Sequence, residues 1–397
     1  MGNSPSTPES HIAYIQATTA SSYIPVTSRG DNIDKSTYGH LESPLSSQTN
    51  QLLKTAYHGV WKMIFPDSVC PTPRIGQCHV FDQENNKLII AYGVNSLGVE
   101  LNDAWILDIS NLRWKILSLS LNGPRQYPSA TLIGRQMIVF GGLHNSQFLT
   151  DLHSINIDTG EVTIINTSPF GPSARISPVL FSSEGLNPKL YLWSGYNGAS
   201  HGDGYILDIN SQQWKKNPEE IAGRPAASFC VYGNDHYVFG SSKVHGLMKL
   251  NLETNSYEPI VCTGAEPPSG LMHSSLVPAD EFIFLIGGEA DFGYMHLFAL
   301  EVKRKWWFAF HIRPDGSSLA LSDGIVNKIG LFMMPREHSA SIVYSEQNRE
   351  LVSVMGSRMV DPPPVFKISI GEALGLMHIR SDMLELFDEQ VRPGYYQ

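Results

Sequence analysis

The chain has 397 residues, 42% hydrophobic and 17% charged, with a formal net charge of −10; this is apolar material for a large core, without the clustered cations that a nucleic-acid surface needs to replace phosphate counterions. No apolar run approaches the roughly 20 residues that span a bilayer, and the first residues lack the basic-then-apolar layout of a secretory signal. Cys70, Cys78, Cys230 and Cys262 fall outside any CxxC spacing and no histidine pair completes a zinc pattern, so they read as reduced thiols of a soluble, cytoplasmic protein.

Residues 1–50 are rich in Ser, Thr, Pro and Asn and show no sustained hydrophobic period, so they are expected to stay disordered: they bury too little apolar surface to offset the entropy of ordering. The opening Met1-Gly2-Asn3-Ser4-Pro5-Ser6-Thr7 fits the pattern in which an N-terminal glycine is myristoylated. Residues 1–28 contain no Lys, Arg or Cys, so a single acyl chain there implies weak membrane association and no stable insertion.

From Trp61 onward one pattern recurs. A short apolar run ends in a glycine pair at Gly141-Gly142, echoed by runs ending at Gly93, Gly195, Gly240-Ser241, Gly287-Gly288 and Gly356-Ser357. Aligned on the second position of each pair (residues 93, 142, 195, 241, 288 and 357), the six units keep a period of about 50 residues, with one wider interval. Such a run closed by glycine reads as a buried strand ending where the backbone needs positive φ or a close approach. A second strand follows, as in Trp105–Asp108 and Tyr205–Asp208, then an aromatic-led one at Trp114, Trp214, Tyr257 or Trp306-Trp307, with Val162 in the second unit. A Pro or Arg step then opens the next unit at Pro73-Arg74, Pro124-Arg125, Arg224-Pro225 and Pro335-Arg336. Four short strands per unit, repeated in tandem, suit propeller blades.

The glycine pair, the aromatic and the Pro-Arg step together resemble kelch repeats over residues 61–370. The resemblance implies an all-β, six-bladed propeller, placed at residues 51–370 between the N-terminal tail and a tail at 371–397, where Ser381-Asp382 are expected to cap a short helix. The sixth unit lacks its own aromatic strand, and Trp61–Phe65 is a spare strand of that type. It is expected to pair into the last blade and close the ring. The wider interval places a long loop at residues 308–334, assigned to the face opposite the glycine-pair loops.

Kelch-type propellers include enzymes. Glu100 and Asp103 lack the spaced histidine of the iron-dependent members, and no copper set with a Tyr–Cys crosslink is present. His201-Gly202-Asp203 is the nearest local metal candidate and reads more simply as solvated loop polarity. Tyr92 and Tyr196 read as loop-face or channel packing residues. What remains is a monomeric, cofactor-free scaffold binding protein partners through His144, Phe148, Tyr196, Asn197, His201, Lys243, His245, Phe292, Tyr294 and Met359. Loop aromatics with adaptable polar groups are the usual make-up of such surfaces. The alternative is a propeller enzyme, a metal-assisted oxidase or a sugar isomerase, which needs three His, Asp, Glu or Arg side chains converging at one mouth of the channel.

Overall fold

The structure is a computed structural model that describes residues 14–15, 58–241, 246–264, 267–268, 270–289, 294–295, 297–314, 325–326, 332–335 and 337–370. Gly2, the 381–387 segment, Lys243, His245 and Phe292 lie outside them. Of the first 50 residues Tyr14–Ile15 are described, paired parallel with Ala309–Phe310.

The chain forms six antiparallel blades around a central channel. In the first, Cys78–Asp82, Lys87–Ala91, Ala104–Asp108 and Arg113–Ser118 run from the channel outward. Blades two to five repeat this order from Ser129–Ile133, Val179–Ser183, Ser228–Tyr232 and Met272–Ala279. Second strands are the most apolar: Leu88, Ile90, Val139, Leu190, Val238 and Ile283 are all buried, since adjoining blades cover both of their faces. The polar, more exposed outer strands, such as Gln213–Lys216 and Ser256–Pro259, face solvent.

Blade six supplies Ser341–Ser345, Glu350–Val354 and Val365–Ser369, and its fourth strand is His58–Ile64, antiparallel to Val365–Ser369. The spare strand thus closes the ring as the sequence pattern implied. It also runs parallel to His311–Pro314 at the end of blade five's outer strand, joining blades five and six into one ten-stranded sheet.

Two corrections to the repeat reading follow from hydrogen bonds. The N–H of the second pair position donates to the next blade: Gly93 to Arg125 O at 2.9 Å, Gly142 to Arg175 O at 3.1 Å, Gly288 to Glu337 O at 2.8 Å and Gly356 to Arg74 O at 3.2 Å. The equivalent in unit six is therefore Gly356, with Met355 before it, one residue earlier than the sequence alignment on Ser357. The glycine signal misled because Met355 takes the left-handed conformation (φ 61°) that Gly141, Gly240 and Gly287 take in units two, four and five. Nor is the 308–334 segment simply a loop on the opposite face. Trp306–Pro314 extends blade five's outer strand, and Phe332–Pro335 returns to pair with Tyr294–Met295, inside the loop that follows Gly287-Gly288.

The glycine pair has a steric cause on each side. A Cβ on Gly287 would sit 2.0 Å from Glu337 O of the next blade; Gly142 has φ 108°, and its Cβ would sit 3.1 Å from Gln126 O of its own blade. Gly142→Ala is expected to cost about 2 kcal/mol through strained backbone, measured as a lowered denaturation midpoint with an unchanged m-value.

Candidate functional site

Because every second strand runs toward the same rim, the loops between second and third strands gather on one face, together with the segments that enter each first strand. There the structure brings together several of the sequence-derived residues. His144 lies on a small hairpin, Leu143–His144 against Gln147–Phe148, and its Nδ1 is 2.6 Å from Glu100 Oε2 of blade one. Glu100 also accepts from Gln126 Nε2 at 3.2 Å and the Asn145 N–H at 3.3 Å. The histidine that Glu100 lacks at local spacing comes from the neighbouring blade.

The Phe148 ring meets Tyr196 edge-on across blades two and three, with centroids 6.4 Å apart. Tyr196 is 40% exposed, Phe148 is half-buried, and Asn197 is anchored by donating from Nδ2 to Ala174 O at 2.9 Å. His201 is half-buried, with its pKa lowered by burial and by Arg175. Met359 sits apart, on blade six, with φ 49°. Tyr294 is placed by its backbone pairing with Pro335.

Beneath this face lies a repeated buried ion pair that the sequence reading passed over. Arg74, Arg125 and Arg175, the arginines of the segments entering blades one to three, bind Asp103, Asp151 and Asp203, which lie 29, 26 and 28 residues further along. Each guanidinium also donates to the carbonyl at the end of the second strand, Tyr92 O, Gly141 O and Ser194 O, at 3.0, 3.0 and 2.9 Å. One side chain thus ties the entering segment, the second strand and the following loop together. Asp203 is a structural acid held below its usual pKa: desolvation opposes, and the Arg175 hydrogen bond and charge prevail. The signal was legible, as an aspartate before each third strand at Asp103, Asp151 and Asp203.

Tyr92 is neither on the loop face nor in the channel. It is fully buried, with its hydroxyl 2.6 Å from His153 Nε2 and Arg125 over its ring at 5.0 Å. His153 Nδ1 in turn lies 3.3 Å from Asp151. This resembles a relay in composition, but burial raises the tyrosine pKa and closes access, so the cluster fastens blade one to blade two.

The channel mouth is a ring of six left-handed residues, Gly76, Tyr127, Ser177, Ala226, His273 and Ser339, with φ between 46° and 65°. Each N–H from Tyr127 onward donates to the carbonyl of its predecessor, at 2.6, 3.0, 3.3, 2.9 and 3.0 Å. Gln77 Nε2 completes the circle by donating to Ser339 O at 2.8 Å. The rings of Tyr127 and His273 meet across the mouth at 5.2 Å, above a cavity of about 170 Å³. His273 Nε2 and His338 Nδ1 each lie 3.7 Å from Glu289 Oε1. Among the described residues no group of three His, Cys, Asp or Glu is arranged to hold a metal ion. None of Tyr127, His273, Glu289 and His338 was singled out from the sequence, because the ring position is filled by Gly, Tyr, Ser, Ala, His and Ser in turn and so shows no recurring residue type.

Comparison with known proteins adds an independent line. Residues 39–241 and 184–320 match the family model described as the KLHDC2/KLHL20/DRC7 Kelch-repeats domain. Host cell factor 1 of Homo sapiens is 32% identical over 161 residues, 35% of this chain and 8% of that protein. Kelch domain-containing protein 1 of Homo sapiens is 25% identical over 262 residues, 54% of this chain and 63% of that protein. Kelch domain-containing protein 10 of Homo sapiens is 24% identical over 253 residues, 58% of this chain and 56% of that protein. The chain spans less than two thirds of the length of each of these relatives.

Proposed function

The chain belongs to the kelch-repeat family, and from that premise we propose that it is a non-enzymatic scaffold whose propeller binds protein partners through the face carrying His144, Phe148, Tyr196, Asn197 and His201. The observation that carries this reading is the meeting of Phe148 and Tyr196 from different blades, with half-buried imidazoles of His144 and His201 beside them. A rigid ring holding aromatic edges and polar groups at fixed separation loses little entropy on docking, which favours binding over chemistry. The carboxylates beneath it, Asp103, Asp151 and Asp203, are engaged by arginine and so are withdrawn from acid–base work.

Cytoplasmic residence, with any acylation at Gly2 giving weak membrane association, belongs to the same proposal. Among the described residues no helix is long and apolar enough to cross a membrane. Replacing Phe148 and Tyr196 together by Ala is expected to weaken partner capture at least several-fold, because aromatic anchors contribute about 2 kcal/mol or more at a hot spot. Affinity capture with quantitative mass spectrometry, on a variant whose melting temperature matches the parent, measures it. Undiminished capture would move the site off this face.

A further inference from the structure

The buried ion pair changes sign in the last blade. In blades one to three the cation enters with the first strand and the acid follows in the next loop. In blade six the acid, Glu337, enters first, and Arg358 of the following loop lies with Nε 3.2 Å from Glu337 Oε1. The other carboxylate oxygen accepts from Ser357 Oγ at 3.0 Å and from the Arg358 N–H at 3.1 Å. Oε1 is buried without an aligned hydrogen-bond donor, unlike the aspartates, which Arg74 and Arg175 grip with two nitrogens each.

Glu337 also stands where the ring closes. Its carbonyl accepts the Gly288 N–H of blade five. Arg358 lies over the Phe366 ring at 5.7 Å, and Phe366 stacks on Trp61 of the closing strand at 5.4 Å and 21°. Glu337, Arg358, Phe366 and Trp61 border one cavity of about 20 Å³, otherwise lined by Ile, Leu, Met and Ser. A contiguous stack therefore runs from the carboxylate to the strand that completes the propeller.

We propose that Glu337 is a protonation-dependent fastener of the closing strand: neutral, it lets the junction of blade five, blade six and Trp61 stay tight, and ionised, it makes that junction open more often. Burial works against the anion more than the single nearby cation helps it, the usual balance for a desolvated pair with imperfect geometry. The carboxyl is accordingly pushed up to about 7 by desolvation, with Arg358 and Ser357 pulling the other way. A folded-state value above the unfolded one means that the stabilisation is complete below the unfolded value of about 4.5 and is lost as pH rises through about 7. Among the described residues, Arg358 is the charged group that acts on Glu337. The closing strand, the blade-five strand and the blade-six strands present Trp61, Ile286, Ile342, Leu351, Ser353, Phe366 and Ile368 to the shared cavity, and Glu289 and His338 pair with one another beyond it.

Hydrogen exchange of a peptide spanning His58–Ile64, in the full chain at pH 6 and pH 8 and corrected for intrinsic rates, tests this. The opening equilibrium should rise about tenfold between those pH values, while the blade-one peptide Lys87–Ala91 changes less. In Glu337→Gln the rise should disappear. An equal rise in Glu337→Gln, or an equal rise in blade one, overturns the proposal. Arg358→Met provides a check that does not depend on Glu337→Gln folding: removing the cation should move the midpoint to higher pH, and an unmoved midpoint would also overturn it.

Discussion

A chain that begins after Phe65 is expected to lose the single cooperative melt of the ring, whereas one lacking residues 1–45 keeps it. His58–Ile64 is the fourth strand of blade six, in register with Val365–Ser369 from Val60 to Ile64. Trp61 is 1% exposed and belongs to the core cluster shared by blades four, five and six. Removing it uncovers that core, leaves Val365–Ser369 as an open edge, and takes away the strand by which the chain entering blade one is held in the sheet of blade six. Trp61→Ala alone should cost about 4 kcal/mol, the range for emptying a large aromatic site in a packed core. The shorter truncation loses, among the described contacts, the two-residue pairing of Tyr14–Ile15. Differential scanning calorimetry distinguishes the cases, and matching melts for both truncations would refute closure by this strand.

The second large effect is expected at Arg175. Its side chain is fully buried and donates to Asp203, Ser194 O and Ser173 O, at 2.7, 2.9 and 3.0 Å respectively. Arg175→Ala strands a largely buried carboxylate and two carbonyls, and should cost about 4 kcal/mol, as removal of one member of a buried pair does. The loss comes from the orphaned partner rather than from the missing attraction. The double variant Arg175→Leu/Asp203→Leu should therefore recover part of the stability in chemical denaturation. A double variant as unstable as the single would show that the carbonyl contacts, not the stranded charge, dominate.

The sequence by itself determined the number of blades, the strands in each and the identity of the closing strand. These are written in local signals: apolar runs such as Met137–Phe140, glycines that end them, and an unpaired Trp61 strand at one end with a missing strand at the other. Such signals survive in a single sequence because each reports its own segment's burial and backbone conformation, whatever the rest of the chain does. Where another residue tolerates the same left-handed conformation, as Met355 does, the glycine signal slips, and the sixth unit was misaligned by one residue.

Only the tertiary structure decided which side chains meet. Glu100 with His144, Phe148 with Tyr196, and Tyr92 with His153 all join neighbouring blades, and His273 faces Tyr127 across the channel. The repeat period sets which blade each residue belongs to, but not which side chains touch, since the contact depends on the twist of each blade and the angle at which the next one packs against it. The face on which Phe332–Pro335 lies was set in the same way, by its pairing with Tyr294–Met295. The reversed pair of Glu337 and Arg358 is the clearest instance: both residues are plain in the sequence, but their burial against Trp61 exists only once the two ends of the ring have been brought together.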